Sequence, residues 1–155
     1  MSVQATFSAT LVDEWARLGV SDAVICPGSR STPLATALAE RLRTHVRLDE
    51  RSAAFFALGL AMASGRPTVI CVTSGTAAAE LHPAVVEAYH ARIPLIVCTA
   101  DRPPELHHTG APQTVEQTGL FATATRWSVS PGVPSEGTDY DSDRWLVRGG
   151  DTLSA

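Results

Sequence analysis

Apolar residues along this chain follow two rhythms. Short runs that are apolar at nearly every position, DAVIC, TVICVT and PLIVCTA, alternate with longer stretches in which apolar residues return every third or fourth position. The first periodic stretch covers about residues 8 to 18, with Leu11, Trp15 and Leu18 on one stripe and Gly19 placed to stop it. DAVIC follows as a strand and ends in PGS. Ser31 or Thr32 can then cap a helix that opens at Pro33 and reads PLATALAERL. A short strand, HVRL, leads to an alanine-rich helix opened by Glu50, a GRP turn, the strand TVICVT and the loop SGT. The segment TAAAELHPAVVEAYHAR reads as helix with a break near Pro83, because proline removes a backbone donor there. PLIVCTA is the fourth strand.

Strands that are apolar on both faces, separated by helices of ordinary length, predict an α/β fold. Its expected form is a three-layer parallel sheet with helices on both faces, joined by right-handed crossovers. Four loops with chemical potential, PGSRS, DERS, TSGTA and ADRPPE, each follow a strand's C-terminal end. In an open α/β sheet that is the edge where ligands bind, so the topology predicts that all four face one site. Beyond Arg126 the periodicity stops and Ser, Gly, Pro and Asp dominate. The expected division is one domain over residues 1–127 and a linker or disordered tail over 128–155.

Composition narrows the function classes. At 155 residues and 45% hydrophobic, the chain can bury one core. Twelve Lys and Arg against 16 Asp and Glu leave a formal charge of -4 with no basic block, which argues against nucleic acid as a partner. The first residues lack a basic segment followed by a continuous apolar one, and no run is long enough to span a bilayer, so a soluble cytoplasmic protein is expected. Cys26, Cys71 and Cys98 each sit inside an apolar run without the close spacing of a metal knuckle, and read as buried small hydrophobes. His82, His90, His107 and His108 lack metal-ligand spacing and read as core, cap or surface residues.

Several common catalytic signatures are missing. The chain has no GxGxxG, no GxxxxGK[ST] and no GxSxG elbow, and Ser74 has no base at a meaningful spacing. PGSRS and TSGTA offer small residues and backbone donors suited to an anion or a polar ring edge, though such loops are common. Arg30 and Arg102 stand in proline- and glycine-flanked loops, where a guanidinium can either clamp a substrate carboxylate or form a surface salt bridge. Asp101 and Glu105 flank Arg102 and can neutralise it. Glu50 stands in the first turn of its helix, with Ala53, Ala54 and Ala57 next on the same face, leaving room for a flat ligand. It reads either as a compensator of the helix dipole beside a capping Asp49, or as an acid/base sharing a proton with a ring nitrogen.

CPGSRSTPL, RLDERSAAFFALGLA, CVTSGTAAAELHPAVVEA, PLIVCTADRPPEL and GAPQTVEQTGLF together resemble the pyrimidine-binding N-terminal domain of thiamin-diphosphate-dependent enzymes. Among these, the chain is most similar to the 2-succinyl-5-enolpyruvyl-6-hydroxy-3-cyclohexene-1-carboxylate synthase family of menaquinone biosynthesis. The resemblance covers about residues 5 to 127. A strand leading to a helix with glutamate in its first turn is general to the cofactor superfamily, whereas PGSRS and ADRPPEL in the same chain are far more specific to the synthases.

The resemblance implies that Glu50 hydrogen-bonds N1' of the cofactor's aminopyrimidine and so activates the thiazolium C2–H. Ser74, Gly75 and Thr76 match the loop that borders the pyrimidine. Ser29, Arg30, Arg102 and Gln113 match polar contacts to the substrates. The implied reaction is decarboxylation of 2-oxoglutarate and 1,4-addition of the resulting succinyl unit to isochorismate. Such enzymes continue into a diphosphate-binding domain that holds Mg²⁺, and the site forms between that domain of one subunit and the pyrimidine domain of another. This chain therefore reads as the pyrimidine-binding half, inactive alone and homo-oligomeric at full length. It is an excised domain or truncated product, or one subunit of a split decarboxylase or acetohydroxyacid-synthase-like enzyme, or a noncatalytic binding module.

Overall fold

The computed structural model describes residues 2–135 and contains a four-stranded sheet between two helical layers. The elements run α1 (Val3–Arg17), β1 (Asp22–Ile25), α2 (Thr32–Arg41), β2 (Arg43–Val46), α3 (Glu50–Ser64), β3 (Thr68–Val72), α4 (Thr76–Ala79), α5 (His82–Ala91) and β4 (Leu95–Thr99). Three-residue 3₁₀ turns occur at Ser29–Ser31, Pro104–Leu106 and Ala122–Ala124. Every strand pair is parallel and the order is β2-β1-β3-β4, which agrees with the predicted fold class. From β1 the chain steps outward to β2, then returns across β1 to reach β3. That reversal puts the switch point of the strand order between the C-terminal ends of β1 and β3, the position at which open α/β sheets bind ligands.

Strand periodicity divides the core. Val24, Cys26, Ile70 and Val72 face α3, α4 and α5, whereas Ala23, Ile25, Val69 and Cys71 face α1 and α2. β1 and β3 are buried at every position because both faces are covered. Ala53, Ala54, Ala57 and Ala61 are buried along α3, and their lack of bulk lets this helix lie close on the sheet. This departs from the reading of Ala53, Ala54 and Ala57 as a floor for a flat ligand: the small face meets strands. The bulkier Phe56 packs at the side of that cluster, beneath the Arg47 guanidinium at 3.9 Å.

Other boundaries also differ from the sequence reading. α1 begins five residues before the expected Ser8, capped by the Ser2 side chain, which accepts from the Ala5 N–H at 3.3 Å. Ser8 is instead buried with Val12 on the inward face, and Leu18 is exposed at the C-cap. Gly19, with φ +94°, does end this helix. Neither Ser31 nor Thr32 caps α2: both hydroxyls donate backward to the Gly28 carbonyl, at 2.9 and 3.4 Å. β2 begins two residues earlier than HVRL, in register with Asp22 at its start. The break near Pro83 is present, with α4 and α5 as separate helices and Pro83 in the first turn of α5.

Within the expected tail, residues 128–135 form neither helix nor strand, and the remainder, including Trp145 and RGGDTL, lies outside the described residues. Among the described residues, no helix is long and apolar enough to cross a membrane.

Candidate functional site

Four parallel strands put all four of the loops singled out in the sequence at one edge of the sheet. Two of them touch, and a fifth stretch closes over one of these. A Cβ built on Gly28, in the loop after β1, would stand 2.5 Å from Thr73 Cβ in the loop after β3. A Cβ on Gly75 would meet the Gln113 carbonyl oxygen at 2.8 Å and its Cα at 2.9 Å, and Gly75 adopts φ +82°. Glycine is required there twice over, for the positive φ and for the close approach. The stretch carrying Gln113 thus lies directly over the β3 loop.

Polar contacts reinforce this closure. The buried Ser74 hydroxyl donates to the Gln113 carbonyl at 2.9 Å. Gln117 reaches furthest: its Oε1 accepts from the Gly75 N–H at 2.9 Å, while its Nε2 donates to Thr99 Oγ1 at 3.2 Å and to the Ala100 carbonyl at 3.0 Å. Sequence reasoning missed this residue, because the only signal was a second amide four positions after Gln113 in GAPQTVEQTG. Gln113 has φ +55° and an exposed side chain, and Thr76 is exposed at the start of α4.

Glu50 occupies the first position of α3 and is half-buried. The capping task belongs to Asp49, whose carboxylate accepts from the Ser52 N–H at 2.7 Å; that bond holds the Asp49 carboxyl below its ordinary range. The Glu50 side chain makes no hydrogen bond or ion pair with any described residue. Its charge acts on Cys26 at the end of β1: burial first, then Glu50 and Asp49, push this thiol up to about 11. Burial raises Cys71 to about 12 and Cys98 well above the ordinary thiol value. All three are free thiols held in their neutral form; Cys26 and Cys71 are buried as expected, whereas Cys98, in β4, is half-buried.

Arg102 is half-buried after β4. One terminal nitrogen donates to the Pro112 carbonyl at 2.9 Å, and Nε is the only buried side-chain nitrogen or oxygen without a partner among the described residues. The neighbouring carboxylate does not neutralise it, because Asp101 accepts from the Arg102 backbone N–H at 2.7 Å. His107 fixes the same loop, its Nε2 lying 2.8 Å from the Arg102 carbonyl. Ser29 and Arg30 are exposed in the 3₁₀ turn after β1. Among the described residues, neither Arg30 nor Arg102 is within salt-bridge distance of a carboxylate.

This edge therefore gathers an unpartnered carboxylate, two guanidinium groups without counter-ions and a tightly closed backbone floor. Residues 5–120 match the family described as thiamine pyrophosphate enzyme, N-terminal TPP binding domain. The chain is also similar to 2-succinyl-5-enolpyruvyl-6-hydroxy-3-cyclohexene-1-carboxylate synthases. It is 60% identical over 136 residues to that of Thermobifida fusca, covering 86% of this chain and 25% of the relative. For the Geobacillus kaustophilus synthase the identity is 55% over 137 residues, 87% of this chain and 24% of the relative. For that of Mycobacteroides abscessus it is 58% over 134 residues, 83% of this chain and 25% of the relative. The chain spans about a quarter of the length of these curated relatives. With the family match extending over most of the chain and the expected parallel sheet in place, the protein belongs to the thiamine pyrophosphate enzymes, as their N-terminal TPP-binding domain.

Proposed function

We propose that this chain supplies the aminopyrimidine-binding half of the active site in a 2-succinyl-5-enolpyruvyl-6-hydroxy-3-cyclohexene-1-carboxylate synthase, with residues 1–127 as the binding domain. One observation carries the reading: Asp49 caps α3, and Glu50 beside it remains half-buried and unpartnered at the ligand-binding edge of the sheet. A carboxylate relieved of capping is available to hold or give a proton at a ring nitrogen. The loop after β3 is also held in one shape, since Gly75 is closed against the Gln113 backbone, which suits a loop that borders a flat ring.

Thiamin diphosphate, when bound, supplies the nucleophilic carbon and the electron sink for decarboxylation. The chain's own residues do the rest of the work on this side of the site. Glu50 exchanges a proton with N1' of the aminopyrimidine, and Ser74, Gly75 and Thr76 border that ring. Arg30 and Arg102, with Ser29 and Gln113, orient 2-oxoglutarate and isochorismate through their carboxylates and hydroxyls. The unpartnered Nε of Arg102 and the absence of a counter-carboxylate among the described residues support this assignment, because an anionic substrate would complete the fork. Mg²⁺ and the diphosphate fall to a separate domain, contributed by another subunit of a homo-oligomer.

The test is Glu50→Gln in the full-length protein, read by NMR as exchange of the thiazolium C2 proton with deuterated solvent. The expected result is a slowing of about a hundredfold or more, the scale of a lost general acid/base. An unchanged exchange rate at cofactor saturation would remove Glu50 from this role.

A further inference from the structure

Gln117 lies outside the residues assigned to cofactor or substrate, yet its amide joins three segments of the site edge. Oε1 receives the Gly75 N–H at 2.9 Å, and Nε2 reaches Thr99 Oγ1 at 3.2 Å and the Ala100 carbonyl at 3.0 Å. The backbone of the same stretch presses on Gly75 at Gln113, where the Ser74 hydroxyl also binds. We infer that Gln117 is a positioning residue that locks the Ser74–Gly75 peptide and the Gln113 backbone to the end of β4, fixing the height of the pyrimidine-bordering loop. The assignment rests on the proposed cofactor role of that loop.

The chemistry of the side chain explains why an amide stands here. One end must accept from a backbone N–H while the other donates to a hydroxyl and a carbonyl, and only a primary amide offers both at this reach. Gln117→Glu would keep the acceptor for Gly75 and could take a bond from the Thr99 hydroxyl, but it would set a second oxygen against the Ala100 carbonyl and lose that bond alone. Gln117→Leu would remove both halves at similar volume. Without the clamp, the N–H of the positive-φ Gly75 loses its side-chain acceptor, and the turn is left with the Ser74–Gln113 bond.

Both variants are made in the full-length protein and read in two ways. Hydrogen exchange by mass spectrometry on the peptide spanning residues 73–79 should accelerate about tenfold in Gln117→Leu and less in Gln117→Glu, with other sheet peptides unchanged. The thiamin diphosphate concentration for half-saturation, followed by calorimetry, should rise about tenfold, while C2 exchange per bound cofactor stays within threefold of the parent. Faster exchange at 73–79 with half-saturation unchanged would make Gln117 purely structural and overturn the inference. Unaltered exchange in both variants would overturn the clamp itself. A failed cofactor reading is distinguishable, because it would appear as normal C2 exchange in Glu50→Gln whatever the Gln117 variants do. If Gln117→Leu does not fold, Gln117→Glu carries the same two readouts.

Discussion

The two ends of the sheet use the same residue types to opposite effect. At the amino end, Asp22 begins β1 with its carboxylate buried and fully engaged. One oxygen accepts from Arg43 Nε at 2.6 Å and from His45 Nε2 at 2.9 Å, and the other from an Arg43 terminal nitrogen at 2.9 Å and Ser21 Oγ at 2.8 Å. A carboxylate can only accept, so His45 donates from Nε2. The Arg43 bonds, opposed by burial and assisted by His45 and Ser21, hold the Asp22 carboxyl far below its ordinary range. At the carboxyl end, Glu50, Arg30 and Arg102 have no partner of opposite charge among the described residues. A charge whose partners are all within the fold stabilises it, whereas one left incomplete in a closed loop points to a ligand.

The contrast can be broken from either end. The largest expected effect is at Arg102. Arg102→Ala should lower kcat/KM for the substrates about a hundredfold, roughly 2.7 kcal/mol, while unfolding free energy changes by no more than about 0.5 kcal/mol. Steady-state kinetics with a urea titration on the same sample would check it; a large loss of stability with unaltered kinetics would reassign the guanidinium to the fold.

Asp22→Asn should do the reverse, costing on the order of 2 kcal/mol in a urea titration with kcat/KM unaffected. Part of Arg43 is exposed, so solvent screening keeps the figure below that of a wholly buried pair. Because folding depresses the Asp22 pKa, its contribution is present above the ordinary value of 3.8 and is lost as pH falls toward the folded value. The parent's unfolding midpoint should therefore drop more steeply below about pH 4 than that of Asp22→Asn. Parallel acid limbs in the two proteins would show that the amino-end cluster carries no such linkage.

The smallest of the three changes sharpens the picture at the open end. Arg30→Lys keeps the charge but removes the planar fork, and should cost about tenfold in kcat/KM, near 1.4 kcal/mol, with stability unmoved. Full retention of kcat/KM would mean that this arginine serves only as a point charge.

Much of this architecture was legible in the sequence, for identifiable reasons. The near-continuous apolar runs mark strands covered on both sides, and Gly19 and Pro83 mark a helix stop and a restart because their backbone chemistry leaves few alternatives. Parallel strands then force the chemical loops to one edge, so the order of strands and helices alone brings Glu50, Arg30 and Arg102 to a common edge. Caps were less legible: Ser2, Ser8, Ser31 and Thr32 all have the right side chain, and tertiary contacts decide which of them caps. The face of α3 was misread because a run of alanines serves helix–sheet packing and ligand space equally well on paper. Gln117 escaped notice because its partners lie 17 to 42 residues earlier in the chain, a separation that no local pattern encodes.

Gly28 and Thr73 belong to different loops, yet a single added carbon on one would fall 2.5 Å from the other. These positions therefore behave as one unit of variation. A larger residue at 28 becomes tolerable only where 73 has lost its branched side chain, and a change at 73 alone opens a gap beside the switch point. Packing places no such constraint on exposed positions such as Ser29 and Arg30, which can change one at a time without repacking the fold, while the floor beneath them changes only in paired steps.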